Sequence, residues 1–154
     1  VTPVITDQPQ SVSVEANQQA EFSVTLRKQY LNVLEYQWQI STDNGQSWVN
    51  IDGANGHLSS ANWTYTVSYT IPAAAAEHDG CWYRCEVKNT NGKAGTDLVS
   101  SDSVYSEPAK LTVTGLPVIT EQPQDAAVTY GADASFRVEA RADGGGTLRY
   151  QWHV

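Results

Sequence analysis

Cys81 and Cys85 are the only cysteines of the chain. Four residues apart on one predicted strand, they would lie about 13 Å apart, beyond disulfide reach. Two thiols also fall short of the four ligands of a structural zinc site. The expectation is therefore two free thiols acting as small apolar side chains, with no disulfide and no metal. His57, His78 and His153 have no metal-ligand spacing. His78 stands between Glu77 and Asp79, a grouping that suggests acid–base chemistry but reads better as the cap of a solvated corner between strands. No nucleophile elbow, phosphate loop or HExxH pattern is present. The residues point to no catalytic group and no cofactor, and the expectation is a protein that is not an enzyme.

The elements that position these residues are strands. Phe22, Val24 and Leu26 alternate with polar neighbours, as do Tyr36, Trp38 and Ile40. Tyr65, Val67, Tyr69 and Ile71 repeat the pattern, as do Cys81, Tyr83, Cys85 and Val87. Leu111 and Val113 follow Pro108. Asp43-Asn-Gly45, Asp52-Gly53, Asn55-Gly56 and Asn91-Gly92 read as turns between strands. Ala73 to His78 has room for one or two helical turns only. Many short strands at this turn density predict an all-β antiparallel sandwich.

The chain also repeats itself. Residues 3–40 return as 117–154, with 16 identities over 38 aligned positions and no gap. Phe22, Val24, Leu34, Tyr36 and Trp38 recur as Phe136, Val138, Leu148, Tyr150 and Trp152. The expected division is one full domain over 1–115 and the first strands of a second over 116–154. A segment of about 38 residues rarely folds without help. Another chain or chain piece is expected to complete it. The opening Val and the absence of Met suggest a processed or excised piece.

Tyr36-Gln-Trp38, Asp79-Gly-Cys81-Trp-Tyr83-Arg-Cys85 and Lys110-Leu-Thr-Val113 together resemble an immunoglobulin-like fold, and more closely the Ig-like tandem repeats of bacterial surface and secreted proteins. The resemblance covers the whole first copy and all that is present of the second. It implies that Trp38 and Cys85 enter the core and that Tyr83 makes a corner hydrogen bond. The usual partner of Cys85 would stand at Val24, so the inter-sheet disulfide is missing, as is common in bacterial versions. The resemblance carries no catalytic residue.

Ser41-Thr-Asp43-Asn-Gly45-Gln-Ser47-Trp48 is similar to the Asp-box hairpin of sialidases and other propellers. One box without an arginine cluster predicts a structural turn, held by Asp43, Gly45 and Trp48. Trp82 should point away from the core together with Gln37, Gln39 and Arg84. That grouping makes a candidate sugar-binding face of a carbohydrate-binding accessory module of a secreted glycoside-active enzyme, with Trp82 or Trp63 as the platform. The loop Gln29 to Val33, with apolar Tyr30 and Leu31, is expected at the N-terminal end of the sandwich, against a preceding repeat.

The 9 basic and 17 acidic residues give a net charge of −8, which disfavours nucleic acid and anionic membranes as partners. No apolar run is long enough for membrane insertion. Taken together, these features predict a non-enzymatic extracellular module at a bacterial cell surface. It would act as a stalk or adhesion unit, with neighbouring Ig-like repeats and a protein or glycan ligand as partners.

Overall fold

The computed structural model describes residues 2–27, 33–59, 62–90, 103–142 and 146–154. The chain forms two compact units, 1–113 and 114–154. In the first, β1 (Val4–Asp7), β2 (Val12–Glu15), β3 (Ala20–Arg27), β4 (Val33–Ser41), β5 (Val49–Leu58), β6 (Thr64–Ile71), β7 (Trp82–Thr90), β8 (Val104–Tyr105) and β9 (Ala109–Thr114) make two sheets. One sheet has the order β1-β3-β6 and the other β2-β9-β7-β4-β5, with β8 also on β7. A single 3-10 turn, Ala76–His78, replaces the longer helical stretch.

Alternation decides which side chains meet between the sheets. Phe22, Val24 and Leu26 of β3 and Val67 and Ile71 of β6 are buried on one side. Leu34, Trp38, Tyr83, Cys85, Val87, Leu111 and Val113 are buried on the other. Aromatic rings lock the layers: Phe22 stacks on Tyr83 at 4.7 Å, and Tyr69 sits 5.7 Å from Tyr83 and 6.4 Å from Trp38. Such contacts add to the burial of the rings themselves. Both cysteines are free and buried. Cys81 lies just before β7 rather than in it, its carbonyl accepting from Leu111 N at 2.9 Å. Burial holds the Cys85 thiol up at about 12, and burial with the nearby Asp79 and Glu77 carboxylates raises that of Cys81.

Two expectations need correction. Asp52-Gly53 and Asn55-Gly56 are not turns, because β5 runs through both. Gly53, at φ 74°, accompanies a register shift between Gln37 and Gln39, so the turn-forming residues serve a bulge within the hairpin. The Tyr83 hydroxyl is buried and makes no hydrogen bond among the described residues. Its ring is held by stacking on Phe22 instead of by a corner bond. Asn91-Gly92 and residues 28–32, which include most of the Gln29–Val33 loop, lie outside the described residues.

In the second unit β10 (Pro117–Glu121) pairs antiparallel with β11 (Glu139–Ala142). Its pairing follows that of β1 with β3, down to a register shift before the acidic residue, Asp7 or Glu121. Phe136, Tyr150 and Trp152 are half exposed, whereas their counterparts Phe22 and Trp38 are fully buried.

Candidate functional site

The outer face of β4 and β7 holds the polar side chains that the sequence groups together. Register sets Gln37 opposite Glu86, Gln39 opposite Arg84 and Ser41 opposite Trp82. All therefore share one face, as the alternation requires. They are bound to each other rather than open. Arg84 donates Nε to Gln39 Oε1 at 2.8 Å, and its guanidinium lies between the rings of Trp48, at 4.3 Å, and Tyr105, at 4.1 Å. Gln39 donates to Asn50 Oδ1 at 2.9 Å. Gln37 donates to the carbonyls of Ile51 at 2.8 Å and Trp38 at 2.9 Å. Glu86 accepts from Ser103 Oγ at 2.5 Å and from the Tyr105 hydroxyl at 3.3 Å.

Trp82 is not the open platform expected from its position. It is half buried, its indole N–H is enclosed, and Lys110 Nζ stands 5.9 Å from the ring. The lysine comes from β9, which crosses beside Trp82 at the Trp82–Lys110 pair. Alternation along one strand cannot register a neighbour supplied from almost thirty residues away. The exposed tryptophan of the first unit is Trp63, at 56 %.

Ser41 to Trp48 form the stapled hairpin between β4 and β5. Asp43 accepts from Ser47 N at 2.9 Å, Ser47 Oγ at 2.5 Å and Ser41 Oγ at 2.7 Å. Asn44 at φ 59° and Gly45 at φ 83° make the left-handed bend, and Gly45 N donates to Ser41 Oγ at 2.8 Å. Trp48 then returns across Arg84, so the box ends in the aromatic–guanidinium stack. The serine hydrogen bonds, that from the Ser47 side chain foremost, hold the Asp43 carboxyl at about 2. A depressed carboxyl stabilises the folded hairpin above its ordinary value of 3.8, and that stabilisation is lost as the pH falls through about 2. A titration of the Asp43 side-chain carbon by NMR should give a midpoint near 2. A midpoint near 3.8 would mean that the serine contacts do not form.

Beside the stack a shallow polar groove of about 190 Å³ is lined by Glu35, Asn50, Asn55, His57, Glu86 and Lys88. Glu35 holds His57 at 3.3 Å and Lys88 at 3.7 Å. In the turn before β7, His78 Nδ1 accepts from Ala75 N at 2.9 Å, and Asp79 accepts from Val113 N at 2.7 Å. His78 and Asp79 thus cap backbone, as expected of a corner. Among the described residues no group of three His, Cys, Asp or Glu side chains could hold a metal ion.

Tyr105 and Glu86 are parts of this face that the sequence did not single out, and Lys110 figures there only as part of the closing strand. Tyr105 stands four residues before β9 and Lys110 lies within it, but the break at Pro108 hides their common sheet.

No protein-family model and no curated protein matches the chain. Solved structures do resemble it. The titin domains Z1Z2 in complex with telethonin are 22 % identical at a TM-score of 0.45, over 92 % of this chain and 64 % of that one. The fold of the first unit is immunoglobulin-like by its own topology, with the sheets β1-β3-β6 and β2-β9-β7-β4-β5 packed face to face. The N-terminal Ig1-2 module of the Drosophila receptor protein tyrosine phosphatase DLAR is 21 % identical at 0.42, over 80 % of this chain and 58 % of that one. Sidekick-1 immunoglobulin domains 1–5 are 18 % identical at 0.43, over 91 % of this chain and 26 % of that one. At these identities the likeness concerns the immunoglobulin-like architecture alone, in which two sheets meet across the Phe22, Trp38 and Tyr83 core. Among the described residues no helix is long and apolar enough to cross a membrane.

Proposed function

We propose that the chain is a non-enzymatic extracellular module of a bacterial surface protein, built from tandem Ig-like repeats and serving as a stalk or adhesion unit. The observation that carries this reading is the gapless repeat of residues 3–40 at 117–154, an offset of 114 residues that supports two domain starts in one chain. Domains joined by a few residues make a rod whose length follows copy number, and a net charge of −8 keeps such a rod soluble. The polar side chains of the outer face support a structural role, because Arg84, Gln37 and Gln39 are occupied in holding the face together.

In the second unit, half-exposed Ile119, Phe136, Tyr150 and Trp152 form the counterpart of a face that is covered in the first. Further strands, from another chain or chain piece, would cover it. The second reading, a carbohydrate-binding accessory module, draws its support from exposed Trp63. A binding screen of the intact parent protein against glycans and host proteins tests both. The stalk or adhesion reading expects a protein ligand, a glycan held elsewhere than at Trp63, or none. Saturable glycan binding that is lost in Trp63→Ala would replace it by the accessory module.

A further inference from the structure

The second unit repeats the first in structure as well as in sequence, up to a definite point. β10 pairs with β11 in the register of β1 with β3. Val118 faces Arg141 as Val4 faces Arg27, and Ile119 faces Ala140 as Ile5 faces Leu26. Two side-chain bonds repeat as well. Gln124 donates to the Gln122 carbonyl at 3.2 Å, as Gln10 does to that of Gln8 at 3.1 Å. Gln151 donates to the Trp152 carbonyl at 3.0 Å, as Gln37 does to that of Trp38 at 2.9 Å.

The likeness stops where a further strand is needed. In the first unit Ala20–Val24 extend beyond the reach of β1 and are paired by β6, with Ala20 opposite Ile71, Phe22 opposite Tyr69 and Val24 opposite Val67. Their counterparts, residues 134–138, lie outside β11 and pair with no strand among the described residues. Phe136 is 56 % exposed where Phe22 is buried. An apolar groove of about 350 Å³ is lined by Ile119, Val138, Ala140, Leu148, Tyr150 and Trp152. In the first unit the ring of Tyr69, from β6, stands 6.4 Å from Trp38, the counterpart of Trp152.

We infer that residues 134–138 are a docking edge for a partner polypeptide segment of the β6 type, added antiparallel. The inference rests on the tandem-repeat reading above. The first unit specifies the occupant, because it shows what lies on the same residues there. Thr64–Ile71 has no charge, proline or glycine, and alternates Tyr65, Val67, Tyr69 and Ile71 with Thr and Ser. In the same register its Tyr69 position falls opposite Phe136 and its Val67 position opposite Val138. An aromatic and a β-branched side chain then cover the groove beside Trp152, while hydroxyls stay on the outer face. β6 of a second copy is not the donor, since β3 already holds it through eight consecutive positions.

The test adds to the full chain a fluorescent synthetic peptide with the sequence of Thr64–Ile71 and a short C-terminal lysine tail for solubility. Anisotropy reads binding and hydrogen exchange locates it. Saturable binding is expected, with new protection at the amides of 134–138 and none gained in the first unit. A control peptide carrying Val67→Lys and Tyr69→Lys should bind about tenfold more weakly. That control has the greater positive charge, so attraction to a chain at −8 would favour it instead. Trp152→Ala in the chain should also weaken binding about tenfold. Equal binding of the two peptides, binding unchanged by Trp152→Ala, or protection gained elsewhere overturns the inference. No binding while the β10 and β11 amides are protected overturns it and leaves the tandem-repeat reading standing. No binding with those amides exchanging freely overturns both.

Discussion

Trp38→Ala is expected to lower the stability of the first unit by about 3–5 kcal/mol, the range for deleting a large core aromatic. Trp38 has no exposed surface and stands opposite Cys85 in the centre of β4 and β7. Its ring reaches across to Tyr69 of the facing sheet, which in turn approaches Tyr83. The truncation would therefore leave a cavity between the sheets and unseat a second aromatic residue. The indole N–H of Trp38 is buried without a hydrogen bond among the described residues, so none is lost with it. The cost is one of packing alone, and Trp38→Phe should recover most of it. Urea unfolding of the full chain, followed by far-UV circular dichroism of the strands, measures both. A loss below about 1 kcal/mol for the alanine variant would place Trp38 outside the core.

How much of this was legible in the sequence depends on how far each contact reaches along the chain. The core was readable because alternation is local: Phe22, Val24 and Leu26 declare one face of β3 from their own spacing. The Asp box was readable because all its partners lie within eight residues, from Ser41 to Trp48. The outer face was only half readable. Alternation puts Trp82, Arg84, Gln37 and Gln39 on one side of the sheet. It cannot say that Trp48, from the β4–β5 hairpin, and Tyr105, from β8, close over Arg84, or that Lys110 approaches Trp82. The same limit explains the turns that became a bulge. Asp-Gly and Asn-Gly mark a positive φ, which a hairpin turn and a bulged strand both need. Only the partner strand decides between them.

The largest effect outside the apolar core should come from a residue that alternation overlooks altogether. β8 pairs with β7 through Glu86–Tyr105 and Val87–Val104, and β9 pairs with it through Trp82–Lys110 and Tyr83–Ala109. The register slips by one residue between the two, at the Ser106-Glu-Pro108 break. Pro108 has no N–H to offer a ladder. At the slip Ser106 N still donates to the Cys85 carbonyl at 2.9 Å, but the Cys85 N–H turns to a side chain, the Ser106 hydroxyl, at 2.9 Å. That hydroxyl in turn donates to the Glu107 carbonyl at 3.1 Å. Ser106 is 4 % exposed, so water has no ready access to take its place. Ser106→Ala leaves the Cys85 amide buried and unpaired, and should cost about 1–3 kcal/mol. Ser106→Thr keeps the hydroxyl and should cost less. The amide of Cys85 gives a second, local readout, because its hydrogen exchange should accelerate in the alanine variant more than that of Tyr83 on the paired side of the slip. A stability change within 0.5 kcal/mol of the parent, the range of an ordinary surface substitution, would show that the break in the closing strand holds together without this side chain.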